Sequence, residues 1–362
     1  MYWVLGMLAA LALMAVLYLQ HPKFGDLPTG AHLTQIKSSV NYGESGFENL
    51  IDTPMFAEDQ SFFKALLQNM RSSGAHLAPT QRLPSTRHAI EQLSPSDNVL
   101  IWLGHSSFYI QFNGQRILVD PVFSANAAPV PGVIPAYEGT TPVTVNDFTA
   151  IDYLLITHDH WDHLDYETLT ALEPKVKQAI VPLGVGAYLA SWGYSATSIS
   201  EKDWWEHEDI GEGMSIHFVP ARHYSGRLFK RSQTLWGGYV LDGPDYRLLL
   251  SGDTGFGPHF EQIHDRFGDF DLVALDQGQY DPRWPYIHMT PREALNAAER
   301  LQASQMLPAH VGKYTLAKHP WREPFERISQ LAERSEVRLV TPMIGGAVVL
   351  SRQSSQAFEP WW

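Results

Sequence analysis

Potential metal ligands are concentrated in one short run of the sequence. His158, His160, Asp162 and His163 fall within six residues, directly after the apolar stretch DYLLIT, which predicts a buried strand. Imidazole and carboxylate groups without a thiolate suit zinc, with manganese or iron as alternatives. The structural alternative is a solvated loop that is rich in histidine. Because packing alone does not explain so many ligands after a buried strand, we predict a metal centre here.

Three further candidate ligands each follow a predicted strand. MSIHFVPA leads into His223, YRLLLSG into Asp253 and QMLPA into His310. Ligands at strand ends converge at one edge of a sheet in α/β proteins, so these side chains are expected to meet the first four. The seven ligands suffice for two four-coordinate metals if Asp253 bridges them and a water completes the set. Such a centre generates hydroxide near neutral pH and stabilises the charged transition state of a hydrolysis.

Composition limits the class of protein. The 362 residues are 44% hydrophobic and 18% charged, which permits a sizeable core and excludes global disorder. The net charge of −13 repels polyphosphate at long range and disfavours a nucleic-acid partner. Cysteine is absent, so disulfides, thiolate metal sites and a cysteine nucleophile are excluded.

The amino-terminal segment has the composition of a membrane helix. Eighteen apolar or small residues without a charge run from Tyr2 to Leu19, near the lower length limit for a transmembrane span. We predict an uncleaved anchor over residues 1–20, with a cleaved signal peptide or a buried core helix as alternatives. Lys23 and Lys37 follow the segment and only the amino terminus precedes it, which weakly favours a main domain on the cytoplasmic side and does not decide the side of the membrane.

Three regions are expected after the anchor. Residues 21–96 form a polar arm, interrupted by prolines, with one predicted helix over residues 60–71. Residues 97–352 alternate strand and helix patterns, which predicts a layered α/β domain with a hairpin at Asn113-Gly114. Residues 126–144 form a long, proline-rich connection, a candidate functional loop. Residues 353–362 form an aromatic tail.

The motifs resemble the metallo-β-lactamase fold family. The shared pattern is HxHxDH, a distant His223, Asp253 in Ser-Gly-Asp-Thr-Gly, and a later His310. Longer phrases, among them WLGHSSFYIQFNGQRILVDPVFS, HDHWDHLDYETL and LPAHVGKYTL, resemble the branch of N-acylphosphatidylethanolamine-hydrolysing phospholipase D and bacterial RomA-like proteins. The resemblance implies an αβ/βα four-layer sandwich, two zinc ions per chain, and a protein of the bacterial cell envelope.

The resemblance also implies roles for individual residues. The first zinc would be bound by His158, His160 and His223, the second by Asp162, His163 and His310, and Asp253 would bridge. Asp162, Asp253 and His288 are the implied catalytic residues.

Two of the matched residues have structural alternatives. Asp120 in Leu-Val-Asp-Pro is expected to orient a ligating histidine, with a strand-end cap as its alternative. His288 in His-Met-Thr-Pro is expected to contact substrate or transfer a proton. Its alternative is a role at a helix start, since Thr290-Pro291 begins a helix naturally.

Cationic and aromatic residues near the ligands suggest substrate contacts. Arg222 and Arg227, with Lys230 and Arg231 nearby, form a local basic cluster in an acidic chain. Arginine suits bidentate phosphate binding, and a solvated surface run is the alternative. Trp161 among the ligands is expected to line the pocket, with core packing as its alternative.

The combined prediction is a membrane-tethered dizinc hydrolase. It would cleave a phosphodiester of an N-acylphosphatidylethanolamine-like phospholipid by attack of metal-bound hydroxide on phosphorus. The alternatives are hydrolysis of another ester or amide such as a lactone or β-lactam, a nuclease, and a non-catalytic, envelope-associated metal-binding protein. The expected partners are the phospholipid and the membrane. No nucleic acid is expected, and the oligomeric state is undecided.

Overall fold

The computed structural model describes residues 2–58, 60–61, 64, 76–227 and 230–362. Within these residues the strands form two sheets of seven strands each. The first sheet has the order β14-β1-β2-β3-β4-β5-β6. Its strands are β1 (Val99–Trp102), β2 (Phe108–Phe112), β3 (Gln115–Val119), β4 (Ile151–Leu155), β5 (Val176–Pro182), β6 (Ile199–Lys202) and β14 (Ala347–Val349).

The second sheet repeats this plan in the order β13-β12-β11-β10-β9-β8-β7. In both sheets three antiparallel pairings adjoin three parallel ones. The strands are β7 (His207–Gly211), β8 (Met214–Val219), β9 (Gly238–Asp242), β10 (Arg247–Leu250), β11 (Leu272–Asp276), β12 (Gln305–Ala309) and β13 (Arg338–Leu339).

The two sheets pack face to face and helices cover their outer faces. In β4 Leu155 joins the core between the sheets, whereas Leu154 packs outward against the helices, as the alternation of strand side chains requires. In β11 Ala274 and Leu275 divide in the same way. The predicted αβ/βα sandwich is therefore confirmed. The covering helices are Tyr166–Leu172 and Val185–Ser191 on the first sheet, and His259–Phe267, Pro291–Arg300 and Glu323–Ala332 on the second.

Local sequence signals account for several of these elements. Phe112 pairs with Gln115 across Asn113 and Gly114, whose φ angles are 47° and 78°, so the predicted hairpin is confirmed. The single strand-rich run before it contains two strands, because the chain turns at His105 with φ 56°. Patterning did not predict β6, β7, β14 or the helices His259–Phe267 and Glu323–Ala332.

The amino-terminal arm wraps the domain. Phe47 and Ile36, from the short helix Gly30–Ile36, are buried in the core between the sheets. Asn49 holds the backbone of His223 at both ends, since its Nδ2 donates to the His223 carbonyl at 2.7 Å and its Oδ1 accepts from the His223 amide at 3.0 Å. The helix predicted over residues 60–71 lies almost wholly outside the described residues.

The carboxyl-terminal tail packs against the helix Glu323–Ala332 and the end of β1. Trp362 stacks on Phe325 with ring centroids 4.9 Å apart, and Trp361 contacts Phe325 and Trp102. Short 3-10 turns complete the described secondary structure at Pro22–Phe24, Ile90–Gln92, Val145–Asp147, Glu173–Lys175 and Ala196–Ser198.

The helix Tyr2–Leu19 projects from the domain with no buried residue. Its 18 residues have a mean hydropathy of 2.1 and are long and apolar enough to cross a membrane. A signal sequence has the same properties, so the helix by itself only weakly indicates membrane association.

Deleting residues 1–20 is expected to release the protein from membranes into the soluble fraction. Because the helix buries none of its residues, the near-ultraviolet circular dichroism spectrum should match that of the full chain in detergent. If the chain has the phosphodiesterase activity that the sequence predicts, hydrolysis of bis(4-nitrophenyl) phosphate should be retained. Continued pelleting of the shortened chain with membranes would place the attachment elsewhere.

Candidate metal centre

The predicted ligands lie in loops that follow strands of both sheets. The run from His158 to His163 follows β4 in the first sheet. In the second sheet His223 follows β8, Asp253 follows β10 and His310 directly follows β12. Because β8 and β10 both pair antiparallel with β9, their carboxyl ends lie at the same edge. All seven predicted ligands are thereby brought together at one edge of the sandwich.

One group consists of His158, His160, His223 and Asp253, whose ligand atoms lie within 4.8 Å of one another. His160 Nδ1 is 2.9 Å from His158 Nε2 and 3.2 Å from His223 Nε2. Asp253 Oδ2 is 3.7 Å from each of these Nε2 atoms. The four side chains therefore face a common point.

A second group lies on the other side of Asp253. Asp162, His163 and His310 also have ligand atoms within 4.8 Å of one another, together with His105. Asp253 Oδ1 is 3.1 Å from His163 Nε2 and 2.9 Å from His310 Nδ1. The Asp253 carboxylate thus faces both groups, as a bridging ligand does.

The donor set fits divalent cations. Asp253 Oδ1 and His163 Nε2 are buried and make no hydrogen bond, although they are only 3.1 Å apart. Buried polar groups without partners are rare in folded proteins, and a shared cation would satisfy both atoms. The donors are imidazoles and carboxylates only, which suits zinc, manganese or iron.

Burial and charge set the protonation of the cluster. Burial lowers the pKa of His158, His160 and His223, so these imidazoles are neutral, as metal ligation requires. Burial alone would raise the pKa of Asp253, but His163 and His310 bring it well below its usual value.

Carboxylates surround His163. Asp120 Oδ2 is 2.7 Å from its Nδ1, and Asp162 Oδ2 and Asp253 Oδ1 are 3.6 Å and 3.1 Å from its Nε2. Burial opposes protonation, but Asp253, Asp162 and Asp120 together raise the pKa of His163 well above its usual value. Such an accumulation of buried negative charge is a natural binding site for cations.

Further hydrogen bonds hold the imidazole rings of the predicted ligands. Asp120 accepts from His163 Nδ1 and also from the Thr157 amide and hydroxyl, at 2.8 Å and 2.6 Å. This is the contact that a carboxylate orienting a ligand makes. His223 Nδ1 lies 3.0 Å from the Ile287 carbonyl, which fixes that ring in the same way.

Sequence reasoning assigned no role to His105, which supports Asp162. Its Nε2 lies 2.8 Å from Asp162 Oδ2, and its ring contacts His310 at a centroid distance of 4.1 Å. The signal that could have identified it is the one used for the other ligands, a histidine just after a predicted strand.

Asp159, between His158 and His160 in the sequence, is not part of the centre, because its carboxylate accepts hydrogen bonds from the Gly226 amide and the Tyr188 hydroxyl.

His288 lies beside the centre in a fixed orientation. Its Nδ1 is 2.8 Å from Asp276 Oδ2, and its ring stacks on His310 at 5.0 Å and 9°. A carboxylate only accepts, so Nδ1 carries the proton in this bond. Asp276 ends β11, so it too follows the strand-end rule, although it was not predicted.

A cavity of about 480 Å³ borders the ligand cluster. His160, Asp162, His223, Asp253, His288 and His310 reach its wall. Most of the remaining wall is apolar, and part of it comes from the arm and from the proline-rich loop. Its apolar and aromatic lining residues are Met55, Phe56, Ala127, Ile134, Trp161, Tyr224, Trp284, Ile287 and Leu316.

Arg222, one of the four cations of the predicted basic cluster, does not line this cavity. Its Nε donates to Thr53 Oγ1 at 3.0 Å and its Nη1 to the Phe256 carbonyl at 3.0 Å. The guanidinium therefore ties the arm to the domain, and its position does not support the predicted substrate contact.

Arg227 borders the cavity but serves the ligand loop. It is 5% exposed, and its Nη1 donates to the Asp159 and Leu164 carbonyls at 3.0 Å and 2.7 Å. Its guanidinium stacks on the Trp161 ring at 3.8 Å. Trp161 therefore reaches the cavity wall as predicted, held by a buried cation. Arg231 also lines the cavity and is exposed.

Replacing His105 with alanine is expected to weaken binding of one metal equivalent by about 10- to 100-fold, because Asp162 loses its hydrogen-bond partner. Metal content after dialysis against a buffered chelator measures the effect. His264→Ala, on the exposed side of the helix His259–Phe267, is the control. Equal affinity in both variants would mean that His105 does not support the centre.

Comparison with known proteins agrees with this geometry. A profile described as a beta-lactamase superfamily domain matches residues 115–311. An uncharacterized protein of Mycobacterium tuberculosis is 36% identical over 330 residues, 90% of this chain and 88% of the relative. N-acyl-phosphatidylethanolamine-hydrolyzing phospholipase D 1 of Caenorhabditis elegans is 28% identical over an alignment that covers 71% of this chain and 79% of the relative. The outer membrane protein RomA of Klebsiella pneumoniae is 48% identical over 100 residues, which are 28% of this chain and 76% of the relative.

Solved structures show the same fold at low sequence identity. The isothiocyanate hydrolase of Delia radicum gut bacteria aligns with a TM-score of 0.57 at 19% identity, over 70% of this chain and 99% of that one. A metallo hydrolase of Ignicoccus hospitalis aligns with a TM-score of 0.52 at 18% identity, over 70% of this chain and 98% of that one. The chain therefore belongs to the β-lactamase superfamily, in its metallo-β-lactamase-fold branch of metal-dependent hydrolases.

Proposed function

We propose that this protein is a membrane-tethered, dinuclear zinc phosphodiesterase that hydrolyses phospholipids of the N-acylphosphatidylethanolamine type as a phospholipase D does. The observation that carries the proposal is the ligand cluster in the wall of a largely apolar cavity. The similarity to a phospholipase D that acts on such lipids supports the substrate class. Such a cavity suits a substrate with a charged reacting group and apolar chains.

The proposed ligand assignment follows the two groups. His158, His160 and His223 would hold one ion, Asp162, His163 and His310 would hold the other, and Asp253, which faces both groups, would serve both ions. Bound divalent ions supply Lewis acidity at a phosphoryl oxygen and lower the pKa of water. The chain's own contribution is to hold these ligands rigidly through His105, Asp120 and the Ile287 carbonyl.

Phospholipase D-type cleavage adds water to phosphorus and breaks its bond to the head-group oxygen. The departing oxygen needs a proton, and we assign its delivery to His288. Asp276 holds the protonated Nδ1 of His288 at 2.8 Å. Burial opposes further protonation, but Asp276 raises the pKa of His288 above its usual value, so Nε2 can carry a second proton. Nε2 would give that proton to the departing oxygen, and the proton released by the attacking water would restore it. The products are phosphatidic acid and the free head-group alcohol.

Arg231 is the proposed contact for the phosphate. Arg222 does not line the cavity and Arg227 is buried in its wall, whereas Arg231 is exposed on that wall, beside Met55 and Tyr224. A guanidinium there can pair with a non-bridging phosphate oxygen. The apolar walls contributed by Met55, Phe56 and Ile134 would then take the first part of an acyl chain.

The decisive experiment combines metal analysis with a head-group release assay on a phospholipid panel that includes N-acylphosphatidylethanolamine. About two zinc ions per chain together with release of phosphatidic acid is the expected result. A lactone and a β-lactam in the same panel test the alternative substrates. Two bound metals with turnover of those compounds and none of the lipids would overturn the phospholipase assignment.

Asp253→Asn is expected to lower metal content and abolish turnover while the circular dichroism spectrum stays unchanged, because the bridging carboxylate loses its charge. Asp209→Asn is the matched control, since the Asp209 side chain is 84% exposed on β7. Full activity in purified Asp253→Asn protein would exclude the bridging role.

Arg231→Ala is expected to lower kcat/KM for the anionic phospholipid by about tenfold, the loss expected for one charge-assisted hydrogen bond. Lys230→Ala is the control, because Lys230 is exposed and does not line the cavity. Metal content should be unchanged in both variants. Equal losses in the two variants would indicate a general effect of surface charge instead of a phosphate contact.

A further inference from the structure

The proline-rich loop contains a segment without polar side chains. Residues 127–136 read AAPVPGVIPA, ten residues without a charged or hydrogen-bonding side chain in a chain that is 18% charged. Hydrogen bonds from the Ala127 amide to the Ile134 carbonyl and from the Ala136 amide to the Ala125 carbonyl close it at its base. The segment is therefore an ordered loop, and residues 129–133 form its tip.

Its apolar side chains point in two directions. Ala127, Ile134 and Ala136 pack inward with Val122 and Tyr314, and Ala127 and Ile134 also line the cavity beside the ligand cluster.

The tip faces outward instead. Val130 is 48% exposed and Val133 is 47% exposed. The Val133 amide donates to the Val130 carbonyl at 3.1 Å, so the two exposed valines belong to one turn. Exposed apolar side chains that lie near one another mark an interaction surface more often than isolated ones do.

The tip lies against the end of the membrane helix. The Tyr18 hydroxyl, in the last turn of the helix Tyr2–Leu19, donates to the Pro129 carbonyl. Lys23 Nζ donates to the same carbonyl and to the Tyr18 hydroxyl, each at 2.7 Å. Tyrosine and lysine at the end of a membrane span lie at the level of the lipid head groups. Because Pro129 is adjacent to Val130 in the chain, the tip starts at that level.

The residues just after the membrane helix also contact the wall of the cavity. Phe24 packs edge-on against Trp161 at 5.5 Å, and Trp161 lines the cavity. Arg227 Nη2 donates to the Lys23 carbonyl at 3.0 Å. The chain that leaves the membrane helix is thus fixed to the wall of the cavity, so the orientation of the cavity relative to the membrane surface is not free.

We propose that Val130 and Val133 insert among the lipid head groups next to the membrane helix, so that the loop is a second membrane contact and the cavity opens onto the bilayer surface. A lipid can then move from the leaflet along the apolar loop to the ligand cluster. The inference rests on the membrane anchoring in the proposed function, and it does not depend on which lipid is cleaved. Two valines alone do not hold a protein on a membrane, so deletion of the helix is still expected to release it.

Depth-dependent fluorescence quenching tests the proposal on the full chain in vesicles. The chain has no cysteine, so Val133→Cys accepts one environment-sensitive fluorophore without competing sites. Val349→Cys is the matched control, because Val349 is also a valine and is 44% exposed. It pairs with Val99 at the start of β1, the end opposite the ligand loops, since β1 and β3 both pair antiparallel with β2.

Lipids carrying a nitroxide near the head group are expected to quench the label at residue 133 several-fold and to leave the label at residue 349 unchanged. Equal, water-like emission from both labels would overturn the proposal. A blue-shifted emission at residue 133 that nitroxide lipids do not quench would overturn it too, because it would mean that protein, such as a second copy of the chain, covers the tip.

A paired activity measurement extends the test. In the double variant Val130→Asp and Val133→Asp we expect unchanged flotation with vesicles and unchanged hydrolysis of soluble bis(4-nitrophenyl) phosphate. Lipid turnover in vesicles should fall by about tenfold as the apolar contact is lost, while Val349→Asp leaves it unchanged. Equal lipid turnover in both variants would count against delivery from the leaflet. If the parent protein turns over no lipid, the phospholipase proposal fails, whereas the quenching result still decides the membrane contact.

Discussion

The arrangement of three carboxylates around one buried imidazole constrains the rest of the structure. Asp120, Asp162 and Asp253 all lie close to His163, with little water to solvate them. Buried charges are costly unless they are paired and hydrogen-bonded. Holding them together requires rigid supports on every side, and the ends of buried strands provide such supports. The strand ends, the hydrogen bonds around the predicted ligands and the expected cations each offset part of the cost of burying these three carboxylates.

The segments outside the sandwich determine what reaches the centre. The ligand cluster is common to a fold that hosts many reactions, so it does not select a substrate. The cavity walls come instead from the arm, through Met55 and Phe56, and from the loop that carries Ala127 and Ile134. Asn49 of the arm also holds the backbone of His223. The arm thus supports both the ligand geometry and the cavity.

The charge of the whole chain bears on how a phosphodiester would arrive. With a net charge of −13, the protein does not attract a soluble anionic substrate at long range. A lipid that diffuses within the bilayer would need no such attraction, since the proposed anchor would bring the cavity to the membrane surface. The exposed guanidinium of Arg231, the proposed phosphate contact on the cavity wall, would then act at short range, where screening by salt is weak.

Whereas the αβ/βα arrangement of the layers was implied by the family resemblance, the sequence by itself determined the types of the candidate ligands, their positions after strands, the Asn113-Gly114 hairpin and the layered α/β class. These depend on local patterns, namely apolar runs, turn residues and a short spacing of histidines, which remain readable without the rest of the chain. Tertiary structure alone decided that His105 supports Asp162 and that Arg222 and Arg227 bond to backbone carbonyls while Arg231 stays exposed. It also decided that residues 127–136 meet the end of the helix Tyr2–Leu19 at Tyr18. These contacts join residues far apart in the chain, and a side chain's partner depends on which distant groups packing brings within hydrogen-bonding distance.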